Sequence, residues 1–142
     1  MENIGEVIEL EREAHSSPWS RAAFEAELAH PHGRFLVARL EAQLVAFGAL
    51  WLLVDEAHII NLAVSQKFRR QGIGRKLVVE LLGMAKDAGI LCATLEVRAG
   101  NEAAIRLYET MGFERTAIRK RYYPDNNEDA LVMWCHNLGA SV

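Results

Sequence analysis

Arg69-Arg70-Gln71-Gly72-Ile73-Gly74 stands between a short strand pattern, Ala57 to Val64, and a long helical one. In the helical segment, Ile73, Leu77, Leu81 and Ala85 recur as one buried stripe until Gly89 ends it. The glycine-rich turn therefore falls at a helix N-terminus. Unpaired backbone N–H groups and the positive end of the helix dipole hold an anion there. Gly72 and Gly74 let the backbone come close to that anion, since neither carries a Cβ. Arg69, Arg70 and Arg75 add fixed positive charge. The stretch predicts a ligand carrying a pyrophosphate; the competing reading is a plain strand–helix turn.

The remaining elements follow outward from this turn. Asn3 to Ala14 reads as a helix on the spacing of Ile4, Val7, Ile8 and Glu11, and Ser16-Ser17-Pro18 ends it. Ser20 is placed to cap a second helix running to Ala29. After the loop His30-Pro31-His32-Gly33, the runs Phe35 to Leu40 and Gln43 to Leu53 read as paired strands, although Glu41-Ala42 is a poor hairpin turn. Leu91 to Val97 is a continuous apolar run after a helix, as a parallel central strand requires. Asn101 is an N-cap candidate for a helix that stops at Gly112. Phe113 to Tyr122 and Ala130 to His136 complete the pattern. The predicted order is α-α-β-β-β-α-β-α-β-β, an α/β (α+β) fold with a mixed central sheet and helices on both faces.

Composition narrows the class. A chain of 142 residues reads as one domain, residues 1–142, long enough for a real core. Hydrophobic residues make up 51 % and charged residues 25 %, the balance of a soluble globular chain. A net charge of -3 argues against non-specific nucleic-acid binding. Leu44 to Val54 is the longest apolar run and is too short to span a bilayer, and Glu2, Glu6 and Glu9 stand where a signal peptide needs cations. Cys92 and Cys135 are isolated and read as reduced thiols in buried strands. These features predict a cytoplasmic protein with no membrane or direct nucleic-acid partner. The five histidines show no metal spacing, so no metal is expected.

Two phosphate-binding motifs fail. The dinucleotide fingerprint needs a third glycine where Leu77 stands, and no P-loop run exists. What remains, R-x-x-G-x-G between strand and helix, resembles the coenzyme A loop of the GCN5-related N-acetyltransferases, the GNAT family. Further motifs carry the same resemblance in order: Pro18-Trp19-Ser20, Leu95-Glu96-Val97-Arg98, Asn101 to Glu109, Gly112-Phe113, and Tyr122-Tyr123-Pro124 leading to Glu128-Asp129-Ala130. They span about Glu2 to Trp134. Within the family they resemble the branch that acetylates the N-terminal alanine of a small-subunit ribosomal protein, number eighteen. The resemblance implies acetyl-CoA as cosubstrate and the N-terminal peptide of a ribosomal protein as partner. It also implies a strand before the first helix, and that N-terminal strand is missing or truncated in the pattern.

Acetyl transfer needs a neutral amine, a polarised thioester carbonyl and a proton for the leaving thiolate. An α-amine has a pKa of about 7.7–8.0, so part of it is neutral at pH 7. A lysine amine, at about 10.4, costs roughly 3–4 kcal/mol more to deprotonate. A weak base therefore serves an N-terminal amine. Glu96 is such a base by resemblance; on an apolar strand it is expected to be buried, which favours the protonated form. Its alternative role is a structural ion pair with Arg98 or a cap partner. Tyr108 lies on the same helical face as Ala104 and Met111 and reads as core; the resemblance makes its hydroxyl the general acid. Asn101 caps its helix, and by resemblance also meets the pantetheine arm. The resemblance further gives the cofactor Arg70, Gln71, Gly72, Ile73, Gly74 and Arg75, with a bulge at Leu62, Ala63 and Val64 whose N–H groups face the acetyl carbonyl. Arg119-Lys120-Arg121 reads as a solvated strand face. Trp19, Tyr122, Tyr123, Glu128 and Asp129 are the substrate-binding candidates, with the two acids facing a basic peptide side chain or simply solvated. Two rival functions stay open: an acetyltransferase for small amines, and a CoA-binding regulatory module without catalysis.

Overall fold

The computed structural model describes residues 4–15, 18–69 and 71–138. The elements are α1 (Ile4–Ala14), α2 (Arg21–Leu28), β1 (Gly33–Leu40), β2 (Gln43–Leu53), β3 (Glu56–Val64), α3 (Ile73–Asp87), β4 (Ala93–Arg98), α4 (Glu102–Thr110), β5 (Glu114–Arg119) and β6 (Ala130–Cys135). This is the order the periodicities predict. The strands form one sheet in the order β1-β2-β3-β4-β6-β5. β3 and β4 are the one parallel pair of neighbours and are joined through the helix α3; α4 likewise joins β4 to β5, but β6 lies between those two. α1 begins at the first described residue, and β1 is an edge of the sheet.

Each face of the sheet has its own core. Val7, Ile8, Leu10 and Phe24 of α1 and α2 pack on Leu44, Phe47 and Ala63. On the other face, Val78, Leu81 and Leu82 of α3, Ile105 and Tyr108 of α4 and the cap residue Met111 pack on Leu50, Ile59, Leu95 and Val97. Gly48 allows close packing on this second face; a Cβ there would stand 2.8 Å from Leu81 Cδ1. Ser20 Oγ accepts from the Ala23 N–H and caps α2 as its sequence position predicts.

The structure corrects the start of β4 and the end of β5. β4 begins at Ala93, so Leu91 and Cys92 lie before it, and Cys92 is half-exposed. β5 ends at Arg119, because Arg121 takes a positive φ of 52° that ends an extended run. Tyr122 and Tyr123 therefore belong to the loop that follows. The β1–β2 hairpin closes on Glu41 at φ 57°, a left-handed turn residue without glycine. The predicted helix start at Asn3 lies outside the described residues.

Candidate active site

The sheet splits where its two halves meet. β3 pairs with β4 only through Ala57–Ile59 against Ala93–Leu95. Beyond Ile59 and Leu95 the strands part, and the C-terminal ends of both line the opening. A bulge starts the divergence: Ala49 pairs with Asn61 and Leu50 with Ile59, which leaves Ile60 as the extra residue. The bulge therefore lies at Ile60 and not at Leu62, Ala63 and Val64. It reverses the faces of the strand, so Ile59 and Leu62 both point to α3 although they are three apart.

Backbone direction along β3 follows from one bond. The Ser65 N–H donates to the Val45 carbonyl at 2.8 Å. In an antiparallel ladder the paired residues alternate, so Ala63 and Asn61 also bond toward β2. Leu62 and Val64 turn their N–H groups the other way, toward the opening. The Val64 carbonyl accepts from Arg69 Nε at 3.1 Å. On this pairing the N–H groups of Leu62 and Val64 face away from β2, and that of Ala63 points into the sheet.

The turn before α3 has the features of an anion seat. Gly72 is the N-cap at φ 80°, with no side-chain cap bond and no acid in the first helical turn. Lys76 N–H is bonded to the Gly72 carbonyl, which leaves the N–H groups of Ile73, Gly74 and Arg75 as the unpaired start of the helix. Two cations, Arg75 and Lys76, sit at this positive dipole end, an arrangement that costs stability unless an anion offsets it. A Cβ on Gly72 would meet only open space, so the surface above it is free. Arg75 Nη1 is held by Thr110 Oγ1 at 3.0 Å and ties the turn to α4. Exposed Gln71 borders the same turn, and Arg70 lies outside the described residues.

The two proton-transfer candidates lie on opposite faces of the sheet. Leu95 and Val97 point into the α3–α4 core, so Glu96 points to the α1–α2 face. The expected burial is absent, since 34 % of the Glu96 side chain is exposed. Nor is Arg98 its partner. Arg119 Nε donates to Glu96 Oε2 at 2.5 Å, and the Tyr122 hydroxyl donates to Oε1 at 3.1 Å. Arg98 is taken by Asp125 and Glu128, and stacks 4.0 Å over the Tyr123 ring. The Arg119 stretch is thus part of the site and not merely a solvated face.

Tyr108 is 5 % exposed and lies in the core with its ring 5.7 Å from Phe113. Its hydroxyl makes no hydrogen bond among the described residues, yet no fully buried polar side-chain atom there lacks a partner. The ring is therefore buried while the hydroxyl comes to the surface. Burial pushes the phenol well above its usual value, so it stays protonated throughout the physiological range. Asn101 Oδ1 accepts from the Ala104 N–H at 3.2 Å and caps α4.

The loop between β5 and β6 is folded by its own acids. Glu128 Oε2 accepts from the Gly100 N–H at 2.8 Å and Oε1 from Arg98. The Gly100 bond, opposed by partial burial and aided by Arg98, holds the Glu128 carboxyl below the usual range. Asp129 Oδ1 accepts from the Arg121 N–H at 3.0 Å. A substrate cation would have to compete with these bonds, so the structure gives both acids an internal job that the sequence did not show. Trp19 packs on Phe24, with ring centroids 5.1 Å apart, on the β3 side of the opening. Tyr122 stands on the β4 side beside Glu96.

Spacing along the chain also missed Glu11. It is 1 % exposed and accepts from His15 Nδ1 (2.5 Å), the Trp19 N–H (2.8 Å) and Asn61 Nδ2 (3.3 Å). The available signal was an acid within the buried stripe of α1.

A split mixed sheet with a bare glycine-capped helix start at its cleft frames a seat for an anionic cosubstrate. The chain belongs to the acetyltransferase (GNAT) family, whose model matches residues 4–113. An Escherichia coli K12 relative, the [ribosomal protein bS18]-alanine N-acetyltransferase, is 38 % identical over 126 residues, covering 87 % of this chain and 84 % of its own. The crystal structure of the ribosomal-protein-S18-alanine N-acetyltransferase from Escherichia coli superposes with a TM-score of 0.87 at 34 % identity, covering 95 % and 88 %. A Bacillus anthracis acetyltransferase solved with acetyl coenzyme A gives a TM-score of 0.70 at 26 % identity, covering 80 % and 67 %. Among the described residues no helix is long and apolar enough to cross a membrane, and no group of three or more His, Cys, Asp or Glu is placed to hold a metal ion.

Proposed function

We propose that the chain, as one acetyltransferase domain over residues 1–142, moves the acetyl group of acetyl-CoA to the α-amine of the N-terminal alanine of ribosomal protein bS18, in the cytoplasm. The observation that carries this reading is Glu96: an open carboxylate at the parting of β3 and β4, beside Tyr122 and across from the Trp19 turn. Such a base is weak. It serves an α-amine that is already partly neutral more readily than a lysine, whose deprotonation costs more. The relatives named for this substrate support the same reading.

The chain's residues then divide the work. The N–H groups at the start of α3 and the cations beside them receive the pyrophosphate, with the Arg70–Arg75 turn around it. Asn101 borders the pantetheine arm. The Leu62 and Val64 N–H groups point into the cleft, where a thioester oxygen gains charge as the amine attacks. Glu96, on the acceptor face, takes the amine proton once Arg119 moves aside. Tyr108, on the cofactor face, donates to the leaving sulfur. No acyl-enzyme is involved: Cys92 and Cys135 stand at the start of β4 and opposite Ala93, at the end of the strand away from Glu96. Trp19, Tyr122 and Tyr123 line the acceptor peptide, with Glu128 and Asp129 shaping that wall through the loop they hold.

Two tests follow. Gly72→Val and Gly74→Val should each weaken acetyl-CoA binding tenfold or more, about 1.4 kcal/mol, by titration calorimetry. Gly72 carries added left-handed strain, and a Cβ on Gly74 would already sit 3.4 Å from Val64 Cγ2 and 3.6 Å from Leu107 Cδ2, so each variant is first checked for unchanged folding. Unchanged affinity removes the turn from the cofactor site. For the acceptor, peptides with different first residues are incubated with acetyl-CoA, alongside polyamines, and read by mass. Alanine-first peptides should be modified fastest. Turnover of polyamines with no peptide product would replace this reading by a small-amine acetyltransferase.

A further inference from the structure

A buried carboxylate that catalysis does not use needs another reason to be there, since an ion taken from water without full compensation is costly. Glu11 is fully compensated. Its donors come from three places: His15 at the end of α1, the backbone of Trp19 in the α1–α2 turn, and Asn61 on β3. Asn61 follows the bulge residue Ile60 and precedes Leu62, whose N–H faces the cleft. Glu11 thus joins the turn on the acceptor side to the strand on which the bulge turns N–H groups toward the cofactor. Burial alone would push its carboxyl up; the bonds from His15, Trp19 and Asn61 bring it below its ordinary value, so it holds them as an anion. Replacing a three-way acceptor by an amide leaves at least one donor facing an N–H.

We propose that Glu11 is a positioning residue for the acceptor peptide, fixing the Trp19 turn against Asn61 so that the amine is presented to Glu96 at the mouth of the split sheet. This rests on the reading of the chain as a peptide N-terminal acetyltransferase. The cofactor side does not depend on it, because α3, its glycine turn and Tyr108 belong to the opposite face.

The test is a split between the two substrates. Glu11→Gln keeps the shape and removes the charge; Asn61→Ala removes one arm of the network without touching α1. Each variant is compared with wild type for peptide KM, kcat and acetyl-CoA Kd. Glu11→Gln should raise the peptide KM tenfold or more and leave the acetyl-CoA Kd within twofold; Asn61→Ala should act in the same direction by a smaller factor. His15→Ala leaves the Trp19 and Asn61 bonds in place and should change the peptide KM least. An unchanged peptide KM in folded Glu11→Gln overturns the proposal. Equal losses in peptide KM and acetyl-CoA Kd also overturn it, because they mark a general packing defect. If Glu11→Gln does not fold, the same two criteria decide on Asn61→Ala. Wild type that acetylates no alanine-first peptide overturns the underlying reading and this inference with it, whereas an active wild type with an indifferent Glu11→Gln sinks this inference alone.

Discussion

Tyr108→Phe is expected to lower kcat by roughly 10²–10⁴, the scale for one proton-transfer partner. The substitution isolates the hydroxyl. The ring keeps its place against Phe113 and Ile105, and no internal hydrogen bond is lost, because the hydroxyl makes none among the described residues. Stability and acetyl-CoA affinity should therefore change little. The pH dependence carries a second expectation. Burial raises the phenol pKa, so the acid form is present at every pH below the usual phenol value. The loss in Tyr108→Phe should consequently be flat from pH 6 to 9. Full activity in the variant would return Tyr108 to the core.

Much of this was legible in the sequence, for a physical reason. Helical stripes and strand runs are local signals, and glycines at Gly72, Gly89 and Gly112 take positive φ where helices begin or end. The element order followed from these. Cross-strand chemistry is not local. Glu96 and Arg98 share a strand face, which suggested a pair, but Arg98 is drawn to the loop at Asp125 and Glu128 while Arg119, two strands away, reaches Glu96. The family resemblance implies a bulge at Leu62, Ala63 and Val64; only the pairing of Asn61 and Ile59 locates it at Ile60. Glu128 and Asp129 look like free acids in a loop until the N–H groups of Gly100 and Arg121 are seen to fill them. Glu11 was read as part of a stripe, and its partners at Trp19 and Asn61 lie 8 and 50 residues away.

Glu96→Gln should show the opposite pH behaviour. An α-amine with a pKa of about 7.7–8.0 is almost all ammonium at pH 6, and there the missing acceptor should cost up to roughly 10²-fold. Above pH 9 the amine is mostly neutral and needs no base, so the variant should approach wild type. Glutamine can keep its oxygen on Arg119 and turn its amide N–H to the Tyr122 oxygen, which keeps the local geometry and assigns the loss to the proton. A loss that stays constant from pH 6 to 9 would mean that Glu96 only holds Arg119 and Tyr122 in place.

The central claim is that acetyl goes to an N-terminal α-amine and not to a side chain. One peptide decides it: a chain beginning with alanine followed by arginine, carrying an internal lysine, incubated with wild type and acetyl-CoA and sequenced by fragmentation mass spectrometry. The account predicts a single acetyl group on the alanine nitrogen, with the lysine untouched, and no product from the same peptide blocked at its N-terminus. Acetyl on the lysine, or on the blocked peptide, would contradict it.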